Sequence, residues 1–237
     1  DSKGVALAVD TTCGGDTLTY SLKLPLPEAV TWPITIDPST NVSMVNVVSV
    51  NSVDADYLTA RNASSGGTHP TNCYAGQWTD YAINRAPVFF DTSVLPNGAM
   101  LDSARVVLKS SLRYGAGFKI FLAKGTYTGG TPNGSWFNDF EGWASSGVYS
   151  IPALGDSLSA VEAGDSLVFK LNAAGIEAIS TTDTTRFMAL SSHDICAVQP
   201  SSHEYQRIVI ADSYLTIWYR TILPPTHFRM DNPKTTS

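Results

Sequence analysis

The chain has 237 residues, with 15 Lys and Arg against 21 Asp and Glu, a net charge of −6 and a pI near 5.1. Charged residues are 15% of the total, below the roughly 25% of an average domain, which excludes a basic stripe for nucleic acid. There is no run of about 18 apolar residues to cross a membrane, the 43% hydrophobic content excludes disorder, and the length suffices for one sizeable core.

Residues 4–9 are short and apolar, 10–16 carry turn chemistry, and 17–24 alternate with period two; together they predict a hairpin. Pro25 and Pro27 end it, since proline cannot donate to a ladder. Residues 30–36 predict a third strand, closed by Asp37 and Pro38. After a polar break, 44–50 are apolar and β-branched, whereas 51–76 are polar and read as loop. The next strand is 83–90; its Pro87 argues for an edge or a bulge. A turn over 91–98 leads to an alternating strand at 104–112 and another at 118–123. Residues 125–146 are a long loop rich in Gly, Asn and aromatics. A strand at 167–171 precedes the one convincing helical stretch, 172–179, with Asn172 as its N-cap. Strands at 187–191, 207–211 and 214–219 follow, and Pro224-Pro225 open a polar tail.

About a dozen short strands separated by turns predict an all-β protein: an antiparallel jelly-roll-like β-sandwich with a small N-terminal β-segment. The expected division is an N-terminal β-hairpin or strand segment at 1–40, the sandwich at 41–221 and a linker or tail at 222–237. The chain opens on Asp1 with no visible signal peptide, which suggests a mature fragment or part of a longer polypeptide. Cys13, Cys73 and Cys196 are an odd number, and whether Cys73 and Cys196 pair is open at this point.

Five stretches carry a family resemblance. WPITIDPST (32–40) is similar to a segment that often precedes the DNRLRE-type domain. RAPVFFDTSVLPNGAMLDSARVVL (85–108) resembles that family's central signature, an Arg-started strand ending in F-D-x-S, then L-P-x-G-A and S-A-x-L-x-L. FKLNAAGIEAI (169–179) and TRFMALSSHD (185–194) look like its later stretches, and FEGW (140–143) sits where such proteins often carry F-D-G-W. Pro87 interrupts the signature strand, and residues 128–165 lack the usual T-W-N tripeptide. The resemblance implies a jelly-roll-like sandwich of extracellular, cell-wall and phage-associated proteins, related to alginate-associated carbohydrate-binding modules, and a non-catalytic habit.

Catalytic motifs are lacking: no P-loop, no G-x-G-x-x-G, no G-x-S-x-G elbow, and no zinc spacing among His69, His193, His203 and His227. Asp139 and Glu141 are paired carboxylates in an aromatic loop, which reads as a solvated pair before it reads as a glycosidase dyad. No cofactor is expected; Asp54 and Asp56 are the place where a structural Ca²⁺ could sit. The best binding signal is aromatic, because flat π faces stack on the C–H faces of sugars and loop aromatics are free to do so: Tyr74, Trp78 and Tyr81 in a polar segment and Trp136 in the long loop. Lys109, Arg113, Lys119 and Lys124 could form a local basic patch for an anionic glycan. The expectation is a non-enzymatic structural or adhesion module on an extracellular or virion surface (phage capsid-decoration, fibre or tail) with weak glycan contact. Its partners would be other copies or subunits of the assembly and glycans, with neither nucleic acid nor membrane. The alternative is a carbohydrate-binding module that brings a polysaccharide-degrading enzyme to its substrate.

Overall fold

A computed structural model describes residues 9–14, 17–22, 34–36, 38–45, 48–69 and 71–223, with side chains from residue 38 to residue 221. The chain divides into two compact units: Asp1–Ile36 with Ile222–Ser237, and Asp37–Thr221. In the first, β1 (Val9–Gly14) pairs antiparallel with β2 (Thr17–Leu22), in register from Val9↔Leu22 to Gly14↔Thr17. The hairpin therefore runs through the residues read as its turn, and the chain reverses after Gly14. β3 (Ile34–Ile36) is the described part of the strand expected at 30–36; residues 30–33 lie outside the described ones, as does the tail from residue 224.

The second unit is an all-β antiparallel sandwich. One sheet has the order β11 (Leu158–Ser159), β10 (Lys119–Lys124), β13 (Thr184–Ser191) and β8 (Ile83–Asp91). The other has β12 (Ser166–Lys170), β9 (Met100–Tyr114) and β14 (Glu204–Leu223). The far edge of β14 is shared by β7 (Cys73–Gln77), along Glu204–Ile208, and β4 (Ser39–Ser43), along Tyr214–Trp218. β8 belongs to both sheets. Its second half pairs with β13, and its first residues pair with β5 (Val50–Ser52) and β7, so the ladder nearly closes on itself. β5 also pairs with β6 (Gly67–Thr68). Inward side chains of both sheets form one core, with Val88, Phe90, Ile120 and Phe187 against Val106, Leu108, Phe169, Leu215 and Ile217.

Four elements differ from the sequence expectation, each for a physical reason. Residues 39–43, read as a polar break, are a strand whose polar side chains mostly face water. Of the expected strand at 44–50, Met44 makes one isolated bridge to Phe90 and Val50 opens β5, while residues 46 and 47 lie outside the described ones. The polar stretch 51–76 hides α1 (Tyr57–Asn62), capped by Asp56, whose carboxylate accepts from Thr59 N at 2.8 Å. It also hides the start of β7, whose five residues are all buried. Finally, Pro87 sits in a central strand. Phe89 O accepts from Val45 N at 3.0 Å, so by strand alternation the nitrogen of Pro87 points the same way, away from β13. On that side the β5 pairing stops at Arg85 and the bridge to residue 44 begins at Phe90, so no ladder donor is missing.

One buried ionic network ties the loops to this frame. Asp194, in α3 (Ser192–Ile195), accepts from Arg85 Nε at 2.8 Å and Nη2 at 3.0 Å, and lies 3.5 Å from Arg61 Nε. All three side chains are at most 1% exposed. Arg85 also donates to Phe137 O, Asn138 Oδ1, Arg61 O and Tyr149 Oη, at 2.8–2.9 Å. Arg61 donates to the carbonyls of Asp194, Gly147 and Ile195. Each guanidinium lies over a ring, Arg61 on Tyr149 at 3.8 Å and Arg85 on Phe137 at 3.9 Å. Burial alone would lower the pKa of Arg85, but the Asp194 carboxylate together with the Tyr149 phenol more than offsets it and holds it above its ordinary value. One carboxylate thereby compensates two buried cations, and removal of that carboxylate leaves both in a low-dielectric interior. We expect Asp194→Asn to destabilise the fold by about 3–5 kcal/mol. Urea denaturation followed by circular dichroism measures this, and a change within about 1 kcal/mol would show that the network does not organise the fold.

Cys73 and Cys196 are both free thiols, the first buried and the second exposed. Burial pushes the Cys73 thiol to about 12. Burial also raises the phenols of Tyr57, Tyr127 and Tyr149. A group whose folded pKa lies above its unfolded value contributes stability below the unfolded value and loses it as pH rises. Here the window opens near pH 8.5, where an unfolded cysteine ionises, and widens near pH 10 for tyrosine. Urea midpoints at about pH 8, 9.5 and 11 should therefore fall in that order; a flat profile would contradict the buried placement of these groups.

Candidate ligand-binding face

The outer surface of the sheet around β7, β14 and β9 carries the candidate site. Alternation turns Cys73 and Ala75 of β7 into the core and leaves Tyr74 facing outward. On β14, Gln206 and Ile208 face inward, leaving Tyr205 and Arg207 outward. The register sets Tyr205 between Gly76 and Tyr114, and Arg207 beside Tyr74. Tyr205 then touches every aromatic neighbour: Tyr74 at 5.2 Å between centroids, Tyr114 at 5.7 Å and nearly parallel, Trp78 at 6.0 Å and His203 at 6.4 Å. His69 closes the far side, 4.9 Å from Tyr74 and 6.3 Å from Trp78. Most of these contacts are edge-to-face, the arrangement favoured by the ring quadrupoles, so the cluster holds its shape without a ligand.

Gly76 makes this packing feasible. Its φ is +141°, and a Cβ there would lie 2.1 Å from Glu204 O and 2.5 Å from Tyr205 Cα. No residue with a Cβ lets the backbone of β14 at Glu204 and Tyr205 run this close to β7.

The two histidines are oriented by backbone donors. His69 Nδ1 accepts from Asn72 N at 3.2 Å and Thr71 N at 3.4 Å, and His203 Nδ1 accepts from Thr79 N at 3.4 Å. The neutral rings therefore carry their protons on Nε2, an assignment made from these bonds. Burial holds His69 below its ordinary pKa, so the neutral form persists at neutral pH. Among the described residues, the hydroxyls of Tyr74, Tyr114 and Tyr205 have no protein hydrogen-bond partner. Burial first, then the neighbouring phenols of Tyr74 and Tyr114, raise the pKa of Tyr205, which keeps it protonated. The face thus offers rings, free hydroxyls and imidazole N–H donors. Beneath it Gln77 donates to Val198 O and Glu204 Oε2, and Glu204 Oε2 meets His193 Nδ1 at 2.7 Å.

Of the four residues picked from sequence, Tyr74 and Trp78 belong to this cluster. Tyr74 is 8% exposed, and the Trp78 Nε1 is buried without a partner. Tyr81 lies to one side. Its φ is +61°, its hydroxyl accepts from Gln199 at 2.7 Å, and its ring packs on Tyr57. Trp136 is interior: 2% exposed, it stacks on Tyr127 at 4.4 Å and meets the edge of Phe89. Its loop is not open; a 3₁₀ turn, Gly134–Asn138, folds Trp136 and Phe137 over β8. Sequence reading missed Tyr114, Tyr205, His69 and His203. The first ends an alternating strand, and Tyr205 begins a strand that was placed from 207 onward.

The remaining sequence candidates have local partners. Asp56 caps α1, and Asp54 accepts from Asp56 N at 3.2 Å. Among the described residues no group of three or more His, Cys, Asp or Glu could hold a metal ion. The four basic residues do not gather. Lys109 and Arg113 are on β9, where Lys109 meets Gly164 O and Arg113 pairs with Glu162, whereas Lys119 and Lys124 are on β10 of the other sheet. Glu141 lines a cleft of about 220 Å³ with Lys124 and Glu177, and Asp139, raised in pKa by partial burial, is absent from that lining. No protein-family model matches the chain, and neither does any curated protein sequence.

The placements separate two kinds of tryptophan and tyrosine. Trp136→Ala should cost about 3–5 kcal/mol, as truncation of a buried ring does. Tyr114→Ala, at a half-exposed position, should stay within about 0.5 kcal/mol. Paired denaturation curves test this, and equal losses would contradict the assigned burial.

Proposed function

We propose that the chain is a non-catalytic adhesion module of an extracellular or virion-surface assembly, and that it contacts glycans through the face centred on Tyr205. The observation that carries this reading is the cluster itself: six rings on the outer side of a sheet, with three hydroxyls that have no partner among the described residues. A cluster built only to cover a core would not leave its polar atoms unused and Tyr114 half exposed. The resemblance to DNRLRE-type domains points the same way, toward a sandwich placed at a surface rather than an enzyme. Attachment to other subunits of the assembly fits a module whose chemistry lies in contact alone.

The test is binding of the purified chain to a glycan array and to immobilised polysaccharides. Saturable binding to at least one glycan is expected, weakened tenfold or more by Tyr205→Ala. A folded protein that binds no glycan, or binding untouched by Tyr205→Ala and Trp78→Ala, would overturn the proposal.

A further inference from the structure

Resting on that glycan reading, we infer that the ligand of the Tyr205 face is an uncharged glycan, held by stacking and neutral hydrogen bonds without ion pairing. The chemistry of the face leads there. Its six rings are His69, Tyr74, Trp78, Tyr114, His203 and Tyr205, and among the described residues none of them is in an ion pair. Both imidazoles spend Nδ1 on backbone N–H groups, so their neutral forms present Nε2–H, a donor without charge. The three phenols are donors and acceptors at once, which suits sugar hydroxyls of either polarity. Alongside them Arg207 donates Nε to Ser111 Oγ at 2.7 Å, a neutral partner that leaves its charge in place at the edge of the face. An acidic sugar laid over these rings would lose the hydration of its carboxylate or sulfate against uncharged groups, with a single guanidinium at the edge to offset it.

The molecule shows the contrasting arrangement elsewhere on the same two strands. Arg105 of β9 lies 5.4 Å from the ring of Trp218 on β14, and its Nε reaches only Thr216 Oγ1 at 3.5 Å. Lys170 stands opposite Arg105 in the register. A glycan selected for negative charge would settle there, at the cationic pair, and not at Tyr205.

The experiment is titration calorimetry of the full chain with neutral polymers (soluble β-glucan, galactomannan, arabinoxylan) and acidic ones (polygalacturonate, hyaluronan), at about 20 and 500 mM NaCl. A neutral polymer should bind, with an affinity that changes less than about twofold between the two salt concentrations, because the polymer brings no charge to be screened. Tyr114→Ala, which should leave the fold intact, and His203→Ala should each weaken it severalfold, while Arg105→Ala leaves it unchanged. Binding of acidic polymers only, falling steeply with salt and lost in Arg105→Ala, would overturn this inference and leave a glycan-binding module standing. Binding of neither class by the folded chain would overturn both.

Discussion

Three segments of the second unit that are not strand converge on one carboxylate. Asp194 faces Arg85 from the central strand and Arg61 from α1, and those two guanidiniums reach the carbonyls of Phe137, Gly147 and Ile195. The long aromatic loop buries Trp136 and Phe137 over β8, but what sets it against the helix after β5 and the turn after β13 is this shared charge. They are fixed by converging on a charge that no member can leave without exposing the others. Such a centre adds little to net stability over an apolar one of equal volume, but it specifies a single arrangement, because acceptors from three separate segments must meet the same two guanidiniums.

That centre also orders the underside of the aromatic face. Tyr57, at the start of α1, donates to Gln77 Oε1 at 3.2 Å and to His193 O at 3.3 Å. Gln77 and His193 both meet Glu204, and Gln77 and Glu204 are the immediate chain neighbours of Trp78 and Tyr205. The outer rings thus sit on a floor of satisfied polar groups, continuous through α1 and α3 with the Asp194 network. Rigidity in the face comes from below, and the rings need only pack against one another.

The strand-rich architecture was readable because alternation survives wherever one face is wet: residues 104–112 and 214–219 carry it plainly. It failed where both faces are covered or where neither is greasy. β7 is buried on both sides yet contains Gly76 and Gln77, and β4 is Ser-Thr-Asn-rich, so neither shows the pattern of a strand. Pro87 misdirected the reading for a local reason, since sequence cannot show that the ladder has a gap on the side its nitrogen faces. A third of the aromatic face was legible. Tyr74 and Trp78 stand together in sequence, whereas Tyr114 and Tyr205 come to them only through pairing across 40 and 131 positions. Trp136 could not be told from a surface ring, because what buries it is the 3₁₀ turn and the loop closure around Arg85.

The glycine at position 76 has a consequence across time as well as space. Its missing side chain is the room taken by the backbone of β14, Glu204 O and Tyr205 Cα, so position 76 is tied to the neighbouring strand and not to the ring that strand carries. A descendant that gains a Cβ at 76 must move that strand, and loss of the Tyr205 ring would not release the glycine, because the backbone atoms and the φ of +141° remain. Divergence of this face should therefore change its rings while Gly76 stays, along with Cys73 and Ala75, which pin the rest of β7 to the core.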